Sequence, residues 1–350
     1  WSVFTSFGLD NLGSKAVGPW QGYATAAYNS MLALGDSLAV NFSTVPDTPR
    51  ELSFGRLSYD VPVGTDGFRF GATALYSEVQ PGDYRRELRD RTLTNTVELR
   101  GSIVPIQSQA QSLALTLATG FSNVSEADMF GKIYDDHIRT VGLTADYRLH
   151  DPFGGTNYLT LAYRKGLDIF GASQTDDFVS RAGAAPTFAM LGGWFTRYQT
   201  LTDAWSLKFA AAGQAASGPL YTSQQFYLGG AAFGRGYGSA EISGDNGIAG
   251  SAELRFDQSL AGLLRGYQVY GFAESGAVWN SGYGINQGLS LTSAGGGVRF
   301  FLPDGLTAGV GFAYPLTYRS PENPDRHPRL LFSLSNSFRL CPERAWARCS

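Results

Sequence analysis

The sequence predicts an all-β fold: a 16-stranded antiparallel transmembrane β-barrel with a long sixth extracellular loop folded into the lumen. Three observations carry this expectation: a composition unsuited to a water-facing surface, apolar and polar residues alternating with period two, and connections that alternate between long and short. Charged residues make up 16% of the 350 positions, whereas aromatics reach 13% and Gly supplies 44. A soluble protein carries roughly 25% charged residues. With 27 Lys+Arg against 30 Asp+Glu the chain is near neutral, which argues against nucleic acid as a partner. A bundle of membrane helices needs about 18 to 20 consecutive apolar residues per span. The longest runs here, such as 308–316, hold nine even with Gly and Pro counted as apolar. The abundant Phe, Tyr and Trp exclude disorder, which leaves the weak, interleaved signal of a membrane barrel.

Taken in order, strand candidates centre near Phe4, Thr25, Val40, Leu57, Ala72, Val97, Leu115, Leu143, Leu161, Gly193, Phe209, Ala252, Tyr270, Gly296, Val310 and Leu334. Their two parities differ in character. In one, Val97, Leu99 and Ile103 oppose Thr96, Glu98, Arg100 and Ser102; in another, Ile248, Ala252, Leu254 and Phe256 oppose Ser251, Glu253 and Arg255. A soluble sandwich would share this period, so the connections decide. Long polar stretches at 80–91, 123–137, 168–186 and 317–329 alternate with compact turns at 62–67, 151–156, 200–204 and 303–305. An even-stranded barrel with long external loops, tight periplasmic turns and both termini in the periplasm produces this asymmetry; a sandwich does not. Tyr76, Tyr147, Tyr198, Trp205, Trp279 and Tyr314 near strand ends suit interfacial girdles.

One connection is not a simple loop. Residues 217–246 are rich in Gly and apolar side chains, with Tyr221, Phe226, Tyr227, Phe233 and Tyr237 among them. Loops of this length are functional or disordered, and so many aromatics imply that it folds back onto protein. Inside a wide barrel the place for it is the lumen.

Within it, LGG with Gly229 and Gly230, then Arg235-Gly236-Tyr237, then SGDNG with Gly244 and Asp245, resemble the sixth-loop signature of the two-partner secretion translocators. These TpsB proteins are the haemolysin secretion/activation outer-membrane transporters, related to outer-membrane protein assembly factors. The family places an F-x-D-x-G motif on a following strand, and this chain has Phe272, Glu274 and Gly276, with Glu in place of Asp. The family residue before RGY is Val or similar; here it is Gly234. Asp10, Asn11 and Gly13, the Gly35-Asp36 pair and the 62–67 turn also resemble the family's barrel, and the resemblance covers the chain to Phe338.

Glu274 would be costly in lipid, so the face it shares with Phe272 and Gly276 should be lumenal. There an Arg235 guanidinium can meet it in bidentate geometry, a contact worth about 1 to 3 kcal/mol in a partly hydrated lumen. Gly236 is expected to give the loop tip an otherwise disfavoured backbone, Tyr237 to pack on the wall, and Gly276 to leave room.

The three histidines, His137, His150 and His327, have no nucleophile or metal-ligand spacing around them, so no catalytic site, cofactor or metal is expected. Asp135, Asp136, Asp176 and Asp177 are read as solvating their loops. The strand at 330–338 resembles the terminal assembly signal of outer-membrane barrels, closing on Phe338, after which 339–350 form an extension. Cys341 and Cys349 either close one small loop in an oxidising periplasm or remain unpaired thiols.

The resemblance implies an outer-membrane location in a Gram-negative bacterium and a monomer that passes an unfolded secreted exoprotein outward without ATP. Lipid, lipopolysaccharide and the barrel-assembly machinery would be its other partners. Periplasmic POTRA-type modules and a plug helix, part of the family pattern, are not expected here, since Trp1 is read as lying in the first strand. Two other readings stay open: a barrel-assembly factor with a weak seam between first and last strands, and a passive pore.

Overall fold

Sixteen strands close into one antiparallel barrel in the computed structural model, which describes residues 2–65, 67–175, 177–282, 288–321, 323–341 and 344–348, with side chains as far as Arg339. Trp1, Asp176 and Cys349 lie outside the described residues. The first eleven barrel strands are β1 (Ser2–Asp10), β2 (Gln21–Asn29), β3 (Ser37–Thr44), β4 (Leu52–Val63), β5 (Phe68–Val79), β6 (Arg91–Gln107), β7 (Gln111–Asp128), β8 (Gly131–His150), β9 (Gly155–Gly166), β10 (Ala189–Thr200) and β11 (Trp205–Ala216). The loop that follows holds a short ribbon of β12 (Phe226–Leu228) and β13 (Ile242–Gly244). The barrel resumes with β14 (Asn246–Ser259), β15 (Gly266–Trp279), β16 (Leu289–Phe301), β17 (Thr307–Pro315) and β18 (Arg329–Cys341). All sixteen expected centres fall inside barrel strands.

Each barrel strand pairs with the next, β11 with β14 across the loop, and β18 returns to β1. The ring is required because backbone groups facing hydrocarbon have no water to bond, so an open edge is excluded. At the closing seam, eight register pairs run from Val3–Leu340 to Asp10–Ser333. Asn11 then continues the ladder with its side chain: its Nδ2 donates to the Leu330 carbonyl and its Oδ1 accepts from the Phe332 N–H, both at 2.8 Å.

The two faces of the wall have inverted polarity relative to a soluble protein. Val97, Leu99, Leu161, Tyr163, Ile248 and Leu254 are exposed on the outside, whereas Ser58, Thr73, Thr196, Glu253, Gln268, Glu274 and Ser293 are buried. This is the pattern of strands between lipid and an enclosed interior.

Four sequence expectations need correction. The stretch 123–137 is not a loop: β7 and β8 run through it, with Asn123 opposite His137 and only 129–130 outside the strands. Beyond the hydrocarbon a ribbon needs no apolar outer face, so polar residues there disguise strands as loop. Asp136 does not solvate anything; it is fully buried, its Oδ1 accepting from the Ser180 N–H at 2.9 Å, and burial pushes its carboxyl above the usual range. Tyr198 belongs to no outer girdle: its ring lies 5.8 Å from the Lys208 ammonium and 5.5 Å from the Arg255 guanidinium, both on the inner face. Tyr76, Trp205, Trp279 and Tyr314 are exposed. Finally, Phe338 does not end the barrel, since β18 continues to Cys341 and pairs there with β19 (Arg344–Arg348).

The register makes a checkable demand. Ser6 and Ser337 face each other across the seam, at the spacing of about 5 Å between Cα atoms that a disulfide needs. In a background lacking the native cysteines, Ser6→Cys with Ser337→Cys should give an oxidised form that resists unfolding of the barrel on gels, whereas Ser6→Cys with Asn336→Cys should not cross-link.

Candidate functional site

The loop between β11 and β14 is tied down at its base, its middle and its tip. At the base, Asp245 is fully buried and accepts hydrogen bonds from the N–H groups of Leu220 at 2.9 Å and Ser281 at 2.8 Å. Its carboxylate also pairs with Arg181, which reaches in from the 167–188 connection. A Cβ on Gly244 would come within 2.9 Å of the Trp279 backbone, so only glycine lets the loop pass this close to β15. In the middle, Leu228 packs where a Gly276 Cβ would sit, 2.6 Å away.

The tip is a tight reversal. Gly229, Gly230 and Gly234 have φ of 113°, 82° and 102°, a region that disfavours side chains, and the Gly229 N–H donates to the Phe233 carbonyl at 2.8 Å. The left-handed backbone expected at Gly236 therefore sits at Gly234, where the family pattern has a larger residue. Gly236 serves close approach instead: a Cβ there would lie 2.9 Å from both the Pro315 N and the Ser293 Cβ.

This reversal delivers Arg235 to the wall. Its Nη1 donates to Glu253 Oε2 at 2.8 Å and its Nε to Glu274 Oε2 at 3.2 Å, while its backbone N–H donates to Glu274 Oε1. Ser293 Oγ completes Glu274 at 2.7 Å. The guanidinium lies 3.4 Å above the Phe272 ring centroid, adding a cation–π contact. Arg299 repeats the arrangement over Tyr270 at 3.8 Å, and the two rings stack with centroids 6.3 Å apart. Glycines on β16 and β17 make the bed: a Cβ on Gly295 would lie 2.8 Å from Phe272, and one on Gly297 or Gly311 equally close to the Tyr270 hydroxyl.

Glu253 is the shared counter-charge. Its Oε1 accepts from Arg255 Nε at 2.8 Å and Arg299 Nη1 at 2.9 Å, while Oε2 takes Arg235. The carboxylates of Glu253 and Glu274 are almost wholly buried, at 5% and 0% exposure, so this cluster is drier than the partly hydrated lumen expected.

Tyr237 is also buried. Its hydroxyl donates to the Thr292 carbonyl at 3.0 Å and accepts from the Tyr318 N–H at 3.1 Å. Arg329 on β18 donates to the Tyr237 carbonyl and also to the carbonyls of Asn11 at 3.1 Å and Gly13 at 3.0 Å. One side chain thus joins the loop tip to both strands of the seam, where Phe338 stands opposite Thr5. Arg235 and Glu274 are brought together; Glu253, Arg181, Arg299 and Arg329 were not singled out from the sequence, although the inward parity of Glu253 and Arg255 marked them as wall charges.

A closed barrel of sixteen antiparallel strands with apolar residues outward and charges inward is a transmembrane β-barrel. The family model described as haemolysin secretion/activation protein ShlB/FhaC/HecB matches residues 1–300, and the chain belongs to that family, one of Gram-negative outer-membrane protein transporters. It is 25% identical over 303 residues to the hemolysin transporter protein HpmB of Proteus mirabilis, covering 81% of this chain and 52% of that protein. The chain thus spans about half the length of this relative. Among solved structures, CdiB from Escherichia coli matches with a TM-score of 0.80 at 20% identity, over 97% of this chain and 63% of that one. CdiB from Acinetobacter baumannii matches at 0.70 and 18%, over 96% and 60%. BamA from Haemophilus ducreyi lacking POTRA domains 1–3 matches at 0.65 and 14%, over 95% and 70%. At these identities the structures share the fold.

Removing the shared carboxylate takes one counter-charge away from three guanidiniums, and breaking a buried pair from one side costs about 3 to 5 kcal/mol. Glu253→Ala should therefore lower the unfolding midpoint of the purified barrel, read by its heat-dependent gel mobility, clearly more than Arg255→Ala. Equal shifts would contradict the shared role.

Proposed function

We propose that this chain is the translocation barrel of a two-partner secretion transporter: it passes an unfolded exoprotein outward through its lumen, and the 217–246 loop is the extracellular segment that folds inward to occupy that path at rest. The observation that carries this reading is the seating of Arg235 on Glu253 and Glu274, a contact formed by a long loop against the inner wall rather than by loops with one another. A guanidinium held by two carboxylates and an aromatic face is stable enough to keep the loop in place. Hydrated charges on an arriving client can compete with it. Both termini then lie in the periplasm, and the barrel works as a monomer in contact with lipid and lipopolysaccharide, after insertion by the barrel-assembly machinery.

The assembly-factor reading calls for a weak junction between first and last strands. Here that junction has eight register pairs, against seven between β17 and β18, and Asn11 and Arg329 reinforce it. The translocator reading is therefore preferred.

Two measurements test it. In a strain expressing the complete transporter and its partner, Arg235→Ala should leave surface levels of the barrel unchanged and reduce secreted partner several-fold; normal secretion at matched levels would defeat the proposal. In planar bilayers, deletion of residues 218–244 should convert small, flickering currents into a stable large conductance, whereas an unchanged open pore would favour a passive porin.

A further inference from the structure

Below the loop tip lies a cavity of about 400 Å³, bounded by Trp194, Lys208, Glu253, Tyr270 and Arg299 on the wall and by Arg235 from the loop. Lys208, Arg235, Arg299 and Glu253 line it, and Arg255, Glu274 and Asp257 complete the charged cluster behind that lining. Lys208, Arg235, Arg255 and Arg299 face Glu253, Glu274 and Asp257, leaving one positive charge in surplus, and Asp257 is engaged by Gln268 Nε2 at 2.8 Å.

The surplus belongs to Lys208. It stands directly opposite Glu253 in the β11–β14 register, where an ion pair would be expected. Both oxygens of Glu253 are already taken by Arg235, Arg255 and Arg299. Among the described residues Lys208 makes no ion pair; its ammonium has only the Tyr198 ring, at 5.8 Å. Arg299, which also lines the cavity, is hydrogen-bonded to Glu253 and Gln268 through Nη1. A charge without a partner, held away from bulk water among other cations, is costly unless a counter-charge joins it.

We propose that this cavity is an anion-binding site, with Lys208 and Arg299 as its principal donors, and that its ligand is a small inorganic anion of the halide or oxyanion class. The site is polar on one wall and aromatic on the other, where Trp194 meets Phe233 of the loop in a tilted contact with ring centroids 5.0 Å apart. It exists only while the loop is seated, because Arg235 and Phe233 arrive with the loop.

Trp194 reports on the site. Iodide serves as the anion probe, since it quenches indole fluorescence on contact, and neutral acrylamide serves as the control quencher. The emission due to Trp194, taken as the difference between the purified barrel and its Trp194→Phe variant, should be quenched by iodide along a saturating curve and protected by sodium phosphate. Lys208→Gln should weaken iodide quenching at least threefold while leaving acrylamide quenching and heat-dependent gel mobility unchanged, and Lys208→Arg should retain it. Iodide quenching that is absent, that rises without saturation, or that is the same in Lys208→Gln would overturn the proposal.

Discussion

A peptide backbone surrounded by hydrocarbon must find all its hydrogen bonds within the protein, and the rest of this structure follows from that condition. It forces the ladder to close on itself, and closure brings residues near the two ends of the chain together: Asn11 bonds Leu330 and Phe332 across the seam. It also creates an enclosed interior in which a buried carboxylate is tolerable when guanidiniums answer it. Glu253 and Glu274 depend on that enclosure, and the loop that carries Arg235 has a wall to lean on only because the ring is complete.

The glycine content has a structural logic within this frame. At Gly295, Gly297 and Gly311 the missing side chains leave space into which Phe272 and Tyr270 lie, and the two arginines rest on those rings. At Gly244 and Gly276 the same absence lets the loop approach β15. Lumenal glycines are therefore the counterpart of the arginine cluster: the wall is thinned where the charges and their aromatic supports must fit.

Much of this could be read from the sequence, and what could not has identifiable causes. Strand centres were legible because lipid enforces a strict two-residue period; it fails at 123–137, where the ribbon has left the hydrocarbon and nothing selects an apolar outer face. Arg235 and Glu274 were legible as partners because each sits in a short recognisable motif. Glu253 was visible as an inward charge, but its role depends on the register that sets it beside Phe272 and opposite Lys208. Arg181 and Arg329 lie 64 and 92 residues from Asp245 and Tyr237, and only the pairing of the strands between them brings these residues together. The strained backbone was assigned to Gly236 because the motif drew attention there, whereas the turn itself is made at Gly229, Gly230 and Gly234.

The lengthening of β6, β7 and β8 to 17, 18 and 20 residues has a further geometric meaning. A membrane crossing takes about 9 to 11 residues, so the surplus in β8 raises that part of the wall on the order of 20 to 30 Å above the lipid. Counted around the ring, β8 stands half a circumference from the junction of β18 with β1. The strand wall is consequently tallest on the side of the ring opposite the seam.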